Sequence, residues 1–425
     1  MPVKKITEGF LLPSYQFLKI EFGVLFLNTL KWLLLASLLG SLIGSASAFF
    51  LESLNWATQW RESHLWIIYF LPIAGLLIGL TYYYYGKDVV KGNNLLIEEL
   101  QRPKQVIPLA MAPLIYAATI VTHLFGGSAG REGTAVQMGG ALADQFTKLF
   151  KFKPRDRKII LICGISAGFA SVFGTPLAGA VFGLEVFLVG SLVYSAILPA
   201  FITAVIAHYV CLAWGVGHTH YSIGTVPALN ALNILFALAG GIVFGWVARS
   251  FSALNHSLSN LFSKIKYPPF RPLIGGIILV TIICLMGTTK YIGLGIPTIS
   301  ASFTERQAYY VFAIKLMLTA LTLSAGFKGG EVTPLFFIGA SLGSFLSLFI
   351  PLPLGLLAGM GFVAVFAGAA NTPLACILMG IELFGAGSGI YIALACVTAY
   401  LFSGHTGIYS AQRIGSPKHL LLKRR

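Results

Sequence analysis

Apolar stretches follow one another along this chain with very little charge between them. Phe22 to Leu51 is long enough to cross a bilayer with tilt, since about 20 apolar residues suffice. Trp66 to Tyr85 predicts a second span, closing on the aromatic cluster Tyr82 to Tyr85, which suits a membrane–water interface. Gly92-Asn93-Asn94-Leu95-Leu96 opens a short helix whose polar face carries Glu98 and Glu99, and Leu109 to Phe125 follows. Further apolar stretches are Ile159 to Val172, Leu177 to Leu192, Ile197 to Trp214 and Leu232 to Ala248. The second half adds Leu273 to Gly287, Tyr309 to Gly326, Leu335 to Phe349, Leu356 to Ala369, Leu374 to Phe384 and Ile390 to Phe402. Many are too short for a full crossing and are broken by glycine or Thr-Pro steps. Broken helices at membrane depth are tolerated only around a protein-lined cavity. The pattern predicts an all-α, multi-pass membrane unit with interrupted helices.

The interruptions repeat. Gly130-Arg131-Glu132-Gly133-Thr134 aligns with Gly329-Gly330-Glu331-Val332-Thr333 at an offset of 199, which also pairs Gly140-Ala141 with Gly339-Ala340. Thr175-Pro176-Leu177, with Gly183, Glu185 and Phe187, aligns with Thr372-Pro373-Leu374, Gly380, Glu382 and Phe384 at 197. Gly92 to Leu96 aligns with Gly293 to Pro297 at 201. Three blocks in one order at a nearly constant offset predict two related halves, 22–214 and 231–403. A linker at 215–230 joins them, 1–21 precedes them and 404–425 follows. Duplicated halves with matching broken helices are the pattern of transporters with a midplane ion site.

Composition sharpens this reading. Of 425 residues, 56% are hydrophobic and 10% charged, against roughly 25% charged in soluble domains. Mean hydropathy is +0.83. The net charge of +15 does not point to nucleic acid, because the basic residues sit in short loops: Lys4-Lys5, Lys87 and Lys91, Arg102 and Lys104, Lys148 to Lys158, Lys264 to Arg271, and Lys423 to Arg425. The positive-inside rule places these loops, and both termini, in the cytoplasm. Met1 to Gln16 reads as an amphipathic cytoplasmic start. Ser45-Ala46-Ser47-Ala48 resembles a signal-peptidase site, but the preceding segment is too long and too acidic for cleavage. The five cysteines read as small buried hydrophobes, with no disulfide or metal pattern.

Candidate chemistry lies where charge meets glycine. Five of the 14 acids fall within apolar stretches: Glu132, Asp144, Glu185, Glu331 and Glu382. Asp144 is expected to be an interfacial partner of the lysines in the neighbouring basic loop. Glu185 and Glu382 are expected to cap helices. Glu132 and Glu331 each stand at a glycine-rich helix start, where bare amides carry partial positive charge and hold anions. An intramembrane acid in such a place is a functional-site hypothesis by default. Gly130, Gly133, Thr134 and Gly330 let the backbone turn there, and Arg131 is expected to pair with a carboxylate or cap carbonyls. Val332 and Thr333 follow Glu331, and a hydroxyl with free amides suits a small anion shedding water. His218 and His220 lack a third ligand and read as loop residues, and His123 as a buried, hydrogen-bonded histidine. No nucleophile–base set or metal cluster points to an enzyme, and no cofactor is implied.

These residues resemble the CLC family of chloride channels and anion/proton antiporters over nearly the whole chain. Gly130-Arg131-Glu132-Gly133 matches the family's Gly-(Lys/Arg)-Glu-Gly motif, whose glutamate is the external gate. The Thr-Pro blocks match too, and Gly407-Ile408-Tyr409-Ser410-Ala411 places Tyr409 at the family's central tyrosine. The departures from the chloride pattern are informative. Gly92-Asn93-Asn94 replaces the first-half Gly-Ser-Gly-Ile-Pro, and Thr134 replaces the usual proline. Gly330-Glu331-Val332-Thr333-Pro334 lacks the usual phenylalanine, and Val186 stands at the inner proton-transfer glutamate. Gly293 to Pro297 looks like the missing motif, but it lies in the wrong half.

This combination is similar to the fluoride-exporting bacterial branch. The resemblance implies two inverted repeats, a homodimer in the cytoplasmic (inner) membrane with one pathway per subunit, and fluoride export against proton entry. Glu132 would gate the path and carry the proton, assisted by Glu331, while Asn93, Val332, Thr333 and Tyr409 would line the anion path. Fluoride is small and strongly hydrated, and the Asn93 amide offers two donors where serine offers one. A chloride/proton antiporter or chloride channel is the alternative.

Overall fold

The computed structural model describes residues 14–419, so most of the expected amphipathic start and the Lys423-Arg424-Arg425 tail lie outside the described residues. Eight helices occupy the first half: α1 (Ser14–Ser63), α2 (Leu71–Tyr85), α3 (Asn93–Gln101), α4 (Met111–Leu124), α5 (Glu132–Leu149), α6 (Pro154–Phe173), α7 (Pro176–Glu185) and α8 (Ile197–Ala213). Eight more follow: α9 (Ala231–Ser263), α10 (Phe270–Met286), α11 (Ile296–Ala301), α12 (Tyr310–Ser324), α13 (Val332–Leu346), α14 (Leu354–Ala370), α15 (Pro373–Phe384) and α16 (Gly389–Phe402). α9 to α16 repeat the order of α1 to α8, down to the short third helix of each set.

Most of the expected stretches appear within a few residues of their anticipated ends, because Gly, Pro and Thr-Pro set those ends. Proline opens α6, α7 and α15 and is the second residue of α11. Its missing N–H costs nothing in the first turn. Three differences stand out. α1 runs on past Leu51 to Ser63 and α9 runs past Ala248 to Ser263, because neither continuation holds a glycine or proline to stop it. Fifty residues make a helix of about 75 Å, far more than a bilayer requires. Leu177 to Leu192 ends its helix at Glu185 instead; beyond it β1 (Leu188–Val189) pairs in parallel with β2 (Arg413–Ile414). The third difference is α11, a helix of six residues too short to register as periodicity.

The halves pack alike. α5 lies on α6 as α13 lies on α14, and α7 meets its counterpart α15 across the junction. Backbones touch where small residues repeat: a Cβ on Gly139 would strike the carbonyl of Gly164, and one on Gly339 the carbonyl of Gly361. The junction is tied reciprocally. The Glu185 carboxylate accepts from Leu374 and Ala375 N–H at 3.1 and 2.9 Å, while Glu382 accepts from Leu177 and Ala178 N–H at 2.9 and 2.8 Å. Each acid caps the helix whose own acid caps it, the structural role expected of both.

Aromatic rings fill the space between halves, with Phe173 against Phe336 at 4.8 Å and Phe182 stacked on Phe366 at 6.0 Å. Outside, leucines and tryptophans stand exposed along α1, α2, α8 and α9, the surface a bilayer covers. Leu25–Ser63, Leu65–Tyr85, Tyr194–Ala213 and Ala231–Ser263 are long and apolar enough to cross it. Four cysteines are buried as expected, but Cys284 is exposed among the apolar residues on the outside of α10.

Candidate functional site

The two glycine-rich motifs meet in the middle of the molecule. Gly130 and Gly330 form an isolated antiparallel bridge, each N–H donating to the other's carbonyl at 2.6 and 2.8 Å. Glycine is required at this approach: a Cβ on Gly130 would lie 2.8 Å from Pro334, and one on Gly330 2.7 Å from the Gly133 nitrogen. The bridge sets the start of α5 and the start of α13 side by side.

Glu132, the first residue of α5, is fully buried and reaches across to α13. The Thr333 N–H donates to its Oε2 at 3.1 Å, and the Thr333 hydroxyl lies 2.7 Å from both carboxylate oxygens. The Arg131 N–H donates to Oε2 at 3.3 Å, and Arg131 Nε stands 3.7 Å from Oε1. The carboxylate therefore fills the place where a small anion would meet the positive end of α13.

Glu331 makes the converse approach. A Cβ placed on Gly133 would come within 3.7 Å of Glu331 Oε2 and 3.1 Å of Asn93 Nδ2, so both side chains crowd the start of α5. Glu331 Oε2 and Asn93 Oδ1 are buried without a partner. Asn93, Glu331 and Tyr409 line one cavity of about 310 Å³. Thr134 is tied away from it, its hydroxyl 2.8 Å from that of Thr119. Val332 is buried but does not line the cavity. The structure thus gathers Asn93, Glu331 and Tyr409 on one side of the bridge and Glu132 with Thr333 within it.

Tyr409 is placed by contacts from both halves. Asn94 Oδ1 accepts from Ala411 N–H at 3.0 Å, Gln101 donates to the Ala411 carbonyl at 3.1 Å, and His256 Nε2 lies 2.8 Å from the Gly407 carbonyl. On its other side Tyr409 faces Val186, Phe182 and Ile165 across an apolar void of about 10 Å³. That space is too small and too greasy for a water chain.

Some polar residues take places that differ from the sequence reading. Asp144 is buried, and it pairs with Arg157 rather than with a lysine at the interface. Arg157 donates to its two oxygens at 2.8 and 2.7 Å and to Glu99 Oε2 at 3.0 Å. A guanidinium fork serves two carboxylates at once, which a lysine ammonium cannot. Lys315, a cation inside an apolar stretch that the sequence analysis does not single out, is fully buried in α12. It donates to the carbonyls of Tyr291 and Gly293 at 3.0 and 2.6 Å. Gly293 N–H in turn donates to the Gly127 carbonyl at 3.0 Å, so the segment resembling an anion motif instead braces the loop that leads into α5. His123 Nε2 lies 3.4 Å from the Gly130 carbonyl and His218 Nε2 2.9 Å from that of Ser171, both hydrogen-bonding roles. Among the described residues no three metal-ligating side chains converge.

Residues 74–404 match the sequence model of a family described as voltage gated chloride channel. The chain belongs to that CLC family. Along 396 residues it is 53% identical to the chloride/fluoride channel protein of Pseudomonas syringae pv. tomato, covering 92% of this chain and 88% of that one. It is 24% identical to the voltage-gated ClC-type chloride channel ClcB of Salmonella typhimurium, over 90% and 92% of the two chains. Its fold superposes on the crystal structure of a CLC-type fluoride/proton antiporter with a TM-score of 0.88 at 36% identity, covering 91% of this chain and 98% of the other. A slow cyanobacterial Cl⁻/H⁺ antiporter shares the fold, with a TM-score of 0.77 at 20% identity. This CLC protein is accordingly an all-α, multi-pass membrane protein.

Proposed function

We propose that this CLC protein is an antiporter that exports fluoride from the cytoplasm in exchange for protons. The observation that carries the reading is the seat of Glu132. Its carboxylate takes the donors at the start of α13 that a small anion would take, so ionised Glu132 and anion compete for one positive pocket. A proton on Glu132 removes its charge, weakens its hold on Thr333 and leaves the pocket to the anion. Binding of either ion then changes the other, which is the requirement for exchange. The likeness to a fluoride/proton antiporter at 36% identity supports the substrate. So does the chemistry: Thr333 brings a hydroxyl and an amide to one point, the short, strong donors a hard anion needs on losing water.

Asn93 and Tyr409 line the approach from the cytoplasm in this reading, and Val332 lies beyond it as the first residue of α13, beside Thr333. Gly130, Gly133, Thr134 and Gly330 hold the two helix starts in place. Val186 and its apolar surroundings close the family's inner proton route, and the cavity at Glu331 takes that role. The units are the halves 22–214 and 231–403, joined by 215–230, with 404–425 supplying Tyr409. The protein sits in a bacterial cytoplasmic membrane as a homodimer, both termini inside, without enzymatic activity.

The name of the Pseudomonas relative favours a second reading, a channel conducting chloride as well as fluoride. Efflux from proteoliposomes loaded with one halide at a time separates them. Fluoride is expected to leave at least tenfold faster than chloride. Comparable rates would return the protein to the chloride reading.

A further inference from the structure

The cavity that reaches Glu331 holds a cation that the gate does not use. Lys328 begins the run Lys328-Gly329-Gly330-Glu331 and lies half-buried at the cavity wall. Its Nζ stands 4.1 Å from the centre of the Tyr82 ring and 3.5 Å from the Val90 carbonyl, at the limit of a hydrogen bond. Among the described residues no carboxylate pairs with it. Lys91, on the same wall, is committed to Glu98 at 2.7 Å. At the back of the cavity, Asn93 Oδ1 and Glu331 Oε2 are buried without partners. Such atoms call for water or a ligand, because an unpaired buried acceptor is costly. The cavity also has a side. Ser259 on its wall lies near the end of α9, just before Lys264 and Lys266, and Lys91 follows Lys87. By the positive-inside rule these loops are cytoplasmic.

We propose that Lys328 is a binding residue for a small, hard anion in a cytoplasmic antechamber, where the ion waits before passing Asn93 and the paired helix starts. This rests on the export reading above. A lysine ammonium is compact and strongly hydrated, so it can hold an ion that still keeps part of its water. It also concentrates anions at a mouth walled by low-dielectric protein. The assignment adds a residue to the pathway ahead of the gate, where it sets affinity and leaves the coupling to Glu132.

The test is initial fluoride efflux from proteoliposomes, measured against luminal fluoride at low and high ionic strength, for wild type, Lys328→Met, Lys328→Arg and Tyr82→Leu. Lys328→Met is expected to raise the KM for fluoride roughly fivefold or more and to flatten its salt dependence. Maximal rate and protons moved per fluoride should stay as in wild type. Lys328→Arg, which keeps the charge, should recover most of the affinity, and Tyr82→Leu should leave KM unchanged. An unchanged KM in Lys328→Met would overturn the assignment. So would a Tyr82→Leu protein that reproduces the Met variant, since the lysine would then serve only to pack on the ring. If wild type carries chloride rather than fluoride, the substrate reading fails, and the same KM comparison made with chloride still judges Lys328.

Discussion

At the scale of single residues, the site turns on one hydroxyl and one carboxylate. Thr333 gives Glu132 both its N–H and its O–H, so Thr333→Val keeps the volume and removes the shorter contacts. Hydrogen bonds to a charged group are worth about 1.5–3 kcal/mol. Apparent fluoride affinity should therefore fall by roughly tenfold or more, since the anion loses the same donor. A fluoride titration of transport rate in the variant checks this, and an unaltered affinity would remove Thr333 from the path. Acid should speed transport, because a proton on Glu132 frees the pocket; rates measured as pH is lowered on the side that supplies protons should rise. Glu132 and Glu331 were legible in the sequence as acids at glycine-rich helix starts. That Glu132 leans on the other half's helix was not, because nothing local to Gly130–Thr134 says which helix start lies opposite. Lys315 and Arg157 were available to the same logic applied to cations.

At the scale of elements, the helices are held by close backbone approach and by reciprocal caps. Gly139→Leu or Gly339→Leu would force apart a crossing with no room for a Cβ. Overpacking of this kind costs about 1–3 kcal/mol. Either protein should lose thermal stability in detergent by several degrees, which a melting curve reads directly. Glu185→Gln and Glu382→Gln should each cost about 1 kcal/mol, in the range of lost helix caps, and by equal amounts. Proton coupling should persist in both, because neither carboxylate touches the gate. Coupling lost in one alone would make that acid part of the proton path. Arg157→Ala should do more harm than any of these. It leaves Asp144 and Glu99 buried without their cation, at a cost of about 3–5 kcal/mol, to be seen as loss of folded yield. Most helix ends could be read from the chain because Gly, Pro and Thr-Pro set them locally. The extensions of α1 and α9 could not, since hydropathy falls there while helicity continues. α11 and the paired strands β1 and β2 are too short for any period to register, and tertiary contact alone forms them.

At the scale of the whole molecule, duplication is what makes the site. Two halves with matching broken helices bring two helix starts to one bridge, and each half lends its glutamate to the other's neighbourhood. The repeat offsets make this architecture legible in the chain, because three blocks recurring in one order at offsets of 197 to 201 leave little else to infer. In the proposed exchange, ionised Glu132 and the anion compete for one place. The most direct test of that idea is proton uptake driven by a fluoride gradient. Proteoliposomes loaded with fluoride and diluted into fluoride-free medium are followed with a fluoride electrode and a pH electrode together, for wild type and Glu132→Gln. Fluoride efflux should pull protons inward against their own gradient in wild type, and proton movement should vanish in Glu132→Gln. Fluoride leaving wild-type vesicles with no proton movement would contradict the account and make the protein a channel with Glu132 as a gate alone.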